Sequence, residues 1–301
     1  MKKFFNSIIL SFSLISMLGC TSNNSKPDLD ELRGTVLNQL KLIDGKVAVA
    51  FYEIDKPNRS ILINVDEKFH AASTMKTPVM IELYKQASQG NFRLSDSITV
   101  INEFRSIVDG SSFSMDIAID GGEALYSKLG KQVAIYDLMY QMITVSSNLA
   151  TNILIQLVDA KSVTMSMRNL GALQIEVLRG VEDQKAYDQG LSNSTTARDL
   201  MKIMKAIATG KAGTKDDCLQ MVEILKDQKF NDLIPAKLPK EVIVAHKTGS
   251  ITGVHHDSGI VYLPDGRSYV LILLSKELKN FNEGTLQLAE LSRIIYDFTM
   301  R

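Results

Sequence analysis

Strand-like segments lie only towards the two ends of this chain, and the long stretch between them reads as helix. A lone hairpin cannot bury its apolar face, so the two ends must meet in one sheet. Near the start, Lys46–Glu53 and Ser60–Val65 are apolar runs separated by the turn-rich Asp55-Lys56-Pro57-Asn58, which predicts a hairpin. Near the end, Glu241–His246, Gly259–Leu263 and Tyr269–Leu274, with Pro264-Asp265-Gly266 as a turn, predict a three-stranded meander. Apolar residues at helical spacing predict helices over Asp28–Leu42 and Asn282–Met300, which would flank the sheet. Between the two strand groups, helical patterns follow Ser73 and cover Val133–Val158, Thr195–Ala208 and Asp216–Leu225. Asn91–Leu125 is less regular, with Asp109-Gly110-Ser111-Ser112 and Asp120-Gly121-Gly122 as loop signals, and reads as a surface excursion. Arg179–Asn193 is polar and without periodicity, a long ordered loop of the kind that often carries function. The expected fold class is therefore α/β (α+β): residues 28–69 and 228–301 form a five-stranded antiparallel sheet flanked by helices, and residues 70–227 form an all-α domain.

Composition excludes some partners. With 34 basic and 34 acidic side chains among 301 residues, the chain has no electrostatic footprint for nucleic acid. A small molecule or a cell-wall component fits better. The N-terminus reads as an export signal, with basic Met1-Lys2-Lys3, apolar Phe4–Leu18, and Gly19-Cys20. Ser16-Met17-Leu18-Gly19-Cys20 resembles a bacterial lipoprotein cleavage site. That resemblance implies a signal peptide over 1–19, lipid on the Cys20 thiol, a flexible tether over 20–27, and a periplasmic protein held to the membrane by its lipid. The plain alternative is a secretory signal with an incidental cysteine. Cys218 is the only other cysteine, so a lipidated Cys20 leaves no internal disulfide; Cys218 sits in a helical run and reads as a small buried apolar residue. No cysteine–histidine spacing suggests a metal site.

Chemistry enters with Ser73-Thr74-Met75-Lys76. Residues three apart share one face of a helix, so Lys76 would hold its amine near the Ser73 hydroxyl. A serine hydroxyl is a weak nucleophile until an adjacent base takes its proton, and a desolvated lysine can be that base. Ser-x-x-Lys alone is common. Here it is followed by Ser146-Ser147-Asn148, which interrupts an apolar helix, and by Lys247-Thr248-Gly249 at the end of a strand-like run.

Those three motifs in that order resemble class A serine β-lactamases and penicillin-binding proteins. The resemblance covers nearly all of the mature chain, including Asn193-Ser194-Thr195-Thr196 and Lys247-Thr248-Gly249-Ser250. It implies the two-part β-lactamase-like fold with Ser73 at the seam, and a monomer that hydrolyses the cyclic amide of penicillins or cephalosporins through an acyl-enzyme, with a role in antibiotic resistance and with no metal or cofactor. By the same resemblance Ser73 is the nucleophile and Lys76 its proton partner, and Ser146 passes a proton to the departing lactam nitrogen. Asn148 holds the substrate's amide side chain, while Lys247 and Thr248, with Gly249 and Ser250 beside them, bind its carboxylate. The backbone N–H groups of Ser73 and Ser250 form the oxyanion hole, where one donor is typically worth about 3 kcal/mol. The acylation base stays open.

The sequence departs from the family in the long loop and in the last strands. Glu182 stands three residues after Arg179 where the family has two, and Ala186 takes the place of a water-holding asparagine. Glu182 is nonetheless the loop's only glutamate and the expected deacylating base. Asn193 replaces the aspartate that pairs with the loop arginine, so the loop should be anchored differently. Ser250–Ser258 reads as longer than in the family, and Ser258 stands where a basic residue is expected before Gly259. His255 or His256 could supply the positive charge instead. Ser147 replaces the family's aspartate. These departures keep open a D-alanyl-D-alanine carboxypeptidase or esterase, and a penicillin-binding sensor or acyl trap that stays acylated.

Overall fold

The computed structural model describes Met1 and residues 28–301. The expected signal peptide beyond Met1, the expected tether up to residue 27 and Cys20 lie outside the described residues. Five strands form one antiparallel sheet: β1 (Lys46–Glu53), β2 (Ser60–Ile63), β3 (Ile243–Ile251), β4 (Val254–Tyr262) and β5 (Ser268–Lys276), in the order β2-β1-β5-β4-β3. The two ends of the chain do meet, since β1 pairs with β5 from Lys46↔Lys276 to Glu53↔Tyr269.

Period-two alternation sorts the strands into two cores. Val47, Val49, Phe51, Leu271 and Leu273 face the terminal helices Leu29–Leu40 and Phe281–Thr299, packing with Val36, Leu288, Leu291 and Ile295. Ala48, Ala50, Val270, Ile272 and Leu274 face the other way, into a larger core shared with the middle of the chain. The helix Ala197–Ala208 lies directly on this second face through Leu200, Ile203 and Met204. The small alanines of β1 give it room. The same core takes in Lys76–Ser88, Ile135–Thr144, Asn148–Val158 and Lys215–Lys226, the last packing against β3. Cys218 is buried there, as expected.

Three features of the fold place the site. The apolar run Val133–Val158 is broken at Val145–Ser147 into the helices Ile135–Thr144 and Asn148–Val158, with Ser147 capping the second by accepting from the Ala150 amide (3.2 Å). Ser73 sits in a 3-10 turn, Ala72–Met75, that runs straight into the helix Lys76–Ser88 and packs against β3. The long loop between Arg179 and Asn193 contains one short helix, Gln184–Asp188.

The last strands correct the sequence reading. Lys247-Thr248-Gly249 lies within β3, not at its end, and Ser250–Ser258, which lay between the predicted strands Glu241–His246 and Gly259–Leu263, forms the hairpin end of β3 and β4. Ile251 pairs with Val254 across a tight Thr252-Gly253 turn, where Gly253 takes the left-handed φ of +71° that the turn requires. Lys247, Thr248, His255, His256, Asp257 and Ser258 are all buried. Polar residues in buried strand positions break the apolar pattern by which strands are recognised.

Candidate active site

Ser73 lines two adjoining cavities, of about 630 Å³ and 330 Å³, which also share Asn148 and Ser250. The nucleophile thus stands mid-way along one cleft. The larger lobe is walled by the long loop through Arg179, Val181, Glu182 and Tyr187; the smaller is walled by Ser146, Thr248 and Gly249. Gly249 is needed where β3 passes beneath the nucleophile. A Cβ there would lie 3.0 Å from the Ser73 amide nitrogen and 3.1 Å from that of Thr74.

Lys76 and Lys247 are both fully buried and converge on Ser146. Lys76 Nζ donates to Ser146 O (2.7 Å), Ser146 Oγ (3.2 Å) and Asn148 Oδ1 (2.8 Å). Lys247 Nζ donates to the same Ser146 Oγ (3.1 Å) and to Thr248 O (2.9 Å). Burial disfavours an ammonium, and it lowers Lys76 to about 7, against the opposing pull of the Asp120 and Glu182 carboxylates. Lys247 is pushed well below its ordinary value by burial and then by the charge of Lys76. One hydroxyl between two amines that resist protonation can pass a proton either way.

The Ser73–Lys76 spacing predicts an amine near the hydroxyl, not a bond to it. Among the described residues no hydrogen bond joins their side chains, because the three acceptors of the Ser146–Asn148 turn take the Lys76 amine. Catalytic hydrogen bonds are often loose before substrate binds, so this geometry does not disqualify the pair.

Glu182 does reach the site. Asn148 Nδ2 donates a short hydrogen bond to Glu182 Oε1 while its Oδ1 accepts from Lys76, so one amide bridges the two candidate bases. Desolvation raises Glu182 above an ordinary glutamate, with the Asn148 bond opposing. The backbone is strained at this cleft: Ala72, Ser146 and Glu182 are three of the six non-glycine residues with left-handed φ among the described residues, at +44°, +58° and +61°.

Arg179 and Asn193 close the loop without an ion pair between them. Asn193 Oδ1 accepts from the amides of Leu178 (2.8 Å) and Arg179 (3.2 Å), and its Nδ2 donates to Arg179 O (2.9 Å), so the side chain acts as a strand partner. The guanidinium of Arg179 turns to Leu191 O and Gly180 O. Asn152, one helical turn after Asn148, pins Val181 from both sides, accepting from its amide (2.7 Å) and donating to its carbonyl (3.0 Å). Sequence reading missed Asn152, although a second asparagine four residues on in an apolar helix was the available signal.

The histidines supply no positive charge. His256 is fully buried and lowered to about 4 by desolvation; its Nε2 donates to His70 O (2.9 Å) and its Nδ1 accepts from the Ser275 amide (3.1 Å). His255 is also lowered by burial, and it stacks on Phe281. Both are therefore neutral at pH 7. Ser258 is buried on β4 opposite Lys247 of β3, donating to Lys247 O. Among the described residues no group of three or more His, Cys, Asp or Glu side chains gathers as a metal site.

Comparison with known proteins places the fold and the family. A β-lactamase from Bacillus licheniformis is 25% identical over 300 residues, covering 95% of this chain and 92% of that one. The extended-spectrum β-lactamase PER-1 of Pseudomonas aeruginosa is 24% identical over 278 residues, covering 86% and 85%. Among solved structures, PBP-A superposes with a TM-score of 0.76 at 25% identity, covering 90% of this chain and 96% of that one. A PBP-A mutant solved as an acyl-enzyme complex with penicillin G scores 0.76 at 26% identity, covering 90% and 97%. The model of the "Beta-lactamase enzyme family" matches residues 31–299, a span that holds every residue of the cleft, and the chain belongs to that family.

Proposed function

We propose that the protein is a class A-type serine β-lactamase that opens penicillins or cephalosporins through an acyl-enzyme on Ser73. The observation that carries this reading is the single Asn148 amide joining Lys76 to Glu182 beside the cleft that Ser73 lines. It couples an amine suited to acylation to a carboxylate suited to deacylation. In acylation Ser73 Oγ bonds to the lactam carbonyl carbon, the carbon–nitrogen bond breaks, and the serine's proton reaches the departing nitrogen through Lys76 and Ser146. The N–H groups of Ser73 and Ser250 face the developing oxyanion, and Lys247 with Thr248 receives the substrate carboxylate. In deacylation Glu182 takes a proton from water as its oxygen bonds to the acyl carbon, and Ser73 leaves with a proton restored to its Oγ.

Intact mass of the domain mixed with excess benzylpenicillin tests this. A transient adduct, with free protein returning as the drug is consumed, is the expected result. A persistent adduct would instead identify a penicillin-binding sensor or acyl trap. If no adduct forms and no drug is lost, a D-alanyl-D-alanine carboxypeptidase or esterase replaces the β-lactamase reading.

The acylation rate should depend on pH through Lys76. Only the neutral amine is a base, and burial lowers its pKa to about 7, so the rate is full above that value and falls as pH drops through it. Stopped-flow acylation across the neutral range checks this; a flat profile would remove Lys76 from the base role.

We further propose that the chain is exported and anchored to the periplasmic face of the membrane through lipid on Cys20, as Ser16-Met17-Leu18-Gly19-Cys20 suggests. Cells fed a labelled fatty acid should label the wild-type protein and leave Cys20→Ala unlabelled and released from the membrane. Equal labelling of both would sink the anchor.

A further inference from the structure

The turn that presents Ser146 and Asn148 is held by a carboxylate outside all three motifs. Asp120 follows the short 3-10 turn Ile117–Ile119 and is only 7% exposed. Its Oδ1 accepts from the amides of Gly122 (2.9 Å) and Asn148 (2.8 Å). Its Oδ2 accepts from the Leu149 amide (2.8 Å), the Tyr126 hydroxyl (3.0 Å) and the Ser147 hydroxyl (3.4 Å).

Asn148 and Leu149 begin the helix Asn148–Val158, and the first amides of a helix have no partner within it. Ser147, the cap in the chain itself, serves the amide of Ala150 and leaves those two free. A carboxylate suits the positive end of a helix, and Asp120 takes both amides at once. The adjoining Ser146 holds a left-handed φ of +58°, a conformation that lasts only where its surroundings fix it.

The Asp120 loop is shaped for this contact. A Cβ on Gly121 would lie 2.2 Å from Val145 O, and one on Gly122 would lie 2.2 Å from Ser147 Oγ. Only two glycines in succession allow the loop to lie this close to the turn.

We propose that Asp120 is the positioning residue of the Ser146–Asn148 turn, its carboxylate holding Ser146 Oγ between the two lysines and the Asn148 amide between Lys76 and Glu182. The inference rests on the Ser73 hydrolase reading for its meaning, since these are the groups that reading uses. A geometric corollary is that the carboxylate can be moved. Ser147 Oγ is 3.4 Å from Asp120 Oδ2, so an aspartate side chain placed at 147 reaches the same corner when position 120 is vacated.

The test is a relocation cycle on the mature domain: wild type, Asp120→Asn, Ser147→Asp, and the double variant Asp120→Ser/Ser147→Asp, each assayed for acylation by benzylpenicillin. Asp120→Asn should slow acylation by about 100-fold, the usual penalty for misplacing reacting groups by an ångström. Ser147→Asp should also be slow, because it crowds two carboxylates together. The double variant should recover most of the rate, a non-additivity that independent sites do not show.

The pH profile separates positioning from mere support of the fold. Asp120 raises the pKa of both Lys76 and Glu182, and Asp116 adds to its effect on Glu182, so Asp120→Asn should shift the acid limb of acylation to lower pH. A wild-type rate in Asp120→Asn overturns the proposal, as does a double variant that is folded but no faster than the singles. If Asp120→Asn does not fold, the double variant decides alone, because it keeps a carboxylate for the helix end. If wild type ignores every lactam, the β-lactamase reading fails separately, and labelling of Ser73 by a fluorophosphonate gives the same cycle its readout.

Discussion

Exchange of Ser73 for alanine should lower benzylpenicillin hydrolysis by on the order of 10⁶-fold and remove the covalent adduct altogether, the scale seen when a hydrolase loses its nucleophile. The fold should not suffer. Ser73 is half-buried, its hydroxyl holds no partner among the described residues, and the 3-10 turn Ala72–Met75 is fixed by backbone contacts and by Thr74 Oγ1, which donates to Ala71 O (2.6 Å). A Ser73→Ala protein with an unchanged melting temperature and no adduct by mass is the expected pair of results. An adduct that persists in this variant would move the nucleophile elsewhere. Ser146, whose Oγ lies within reach of two amines, would be the first place to look.

The second large effect belongs to Glu182→Gln. The glutamine keeps an oxygen to accept from Asn148 Nδ2 and fills the same volume, so the bridge to Lys76 survives while the base is lost. Acylation should stay within about tenfold of wild type, and deacylation should fall by about 10² to 10⁴, the range for a positioned general base. The adduct that is transient in wild type should then accumulate. The pH dependence has a definite sign: desolvation raises the Glu182 pKa, and only the carboxylate accepts a proton, so wild-type deacylation is lost as pH falls through that raised value. Adduct kinetics identical in the variant and wild type would mean that the loop's glutamate does not activate water.

Those residues were legible because chemistry demands particular side chains at fixed spacing. Ser73, Lys76, Ser146, Asn148 and Lys247 stand within short motifs, and Glu182 was the one acid of its type in the loop. The sheet was legible because alternating apolar residues on β1 and β5 serve two cores. Elsewhere the signals failed for physical reasons. β3 and β4 extend past their apolar runs because they carry buried polar side chains, and burial rather than residue type decides that His255 and His256 are neutral. Asp120 followed by two glycines looks like any surface turn. Its role depends on a helix end that approaches it only in three dimensions.

The sheet order also bears on how the chain is made. β1 is apolar on both faces and pairs with β5, which follows it only after all the intervening helices. Until β5 has been made, the run Val47–Tyr52 has β2 on one edge and nothing on the other. The helix Leu29–Leu40 likewise waits for Phe281–Thr299. Such a chain cannot complete its core until β5 and the helix Phe281–Thr299 have been made, and until then its first strand keeps an unpaired apolar edge open to association with other chains.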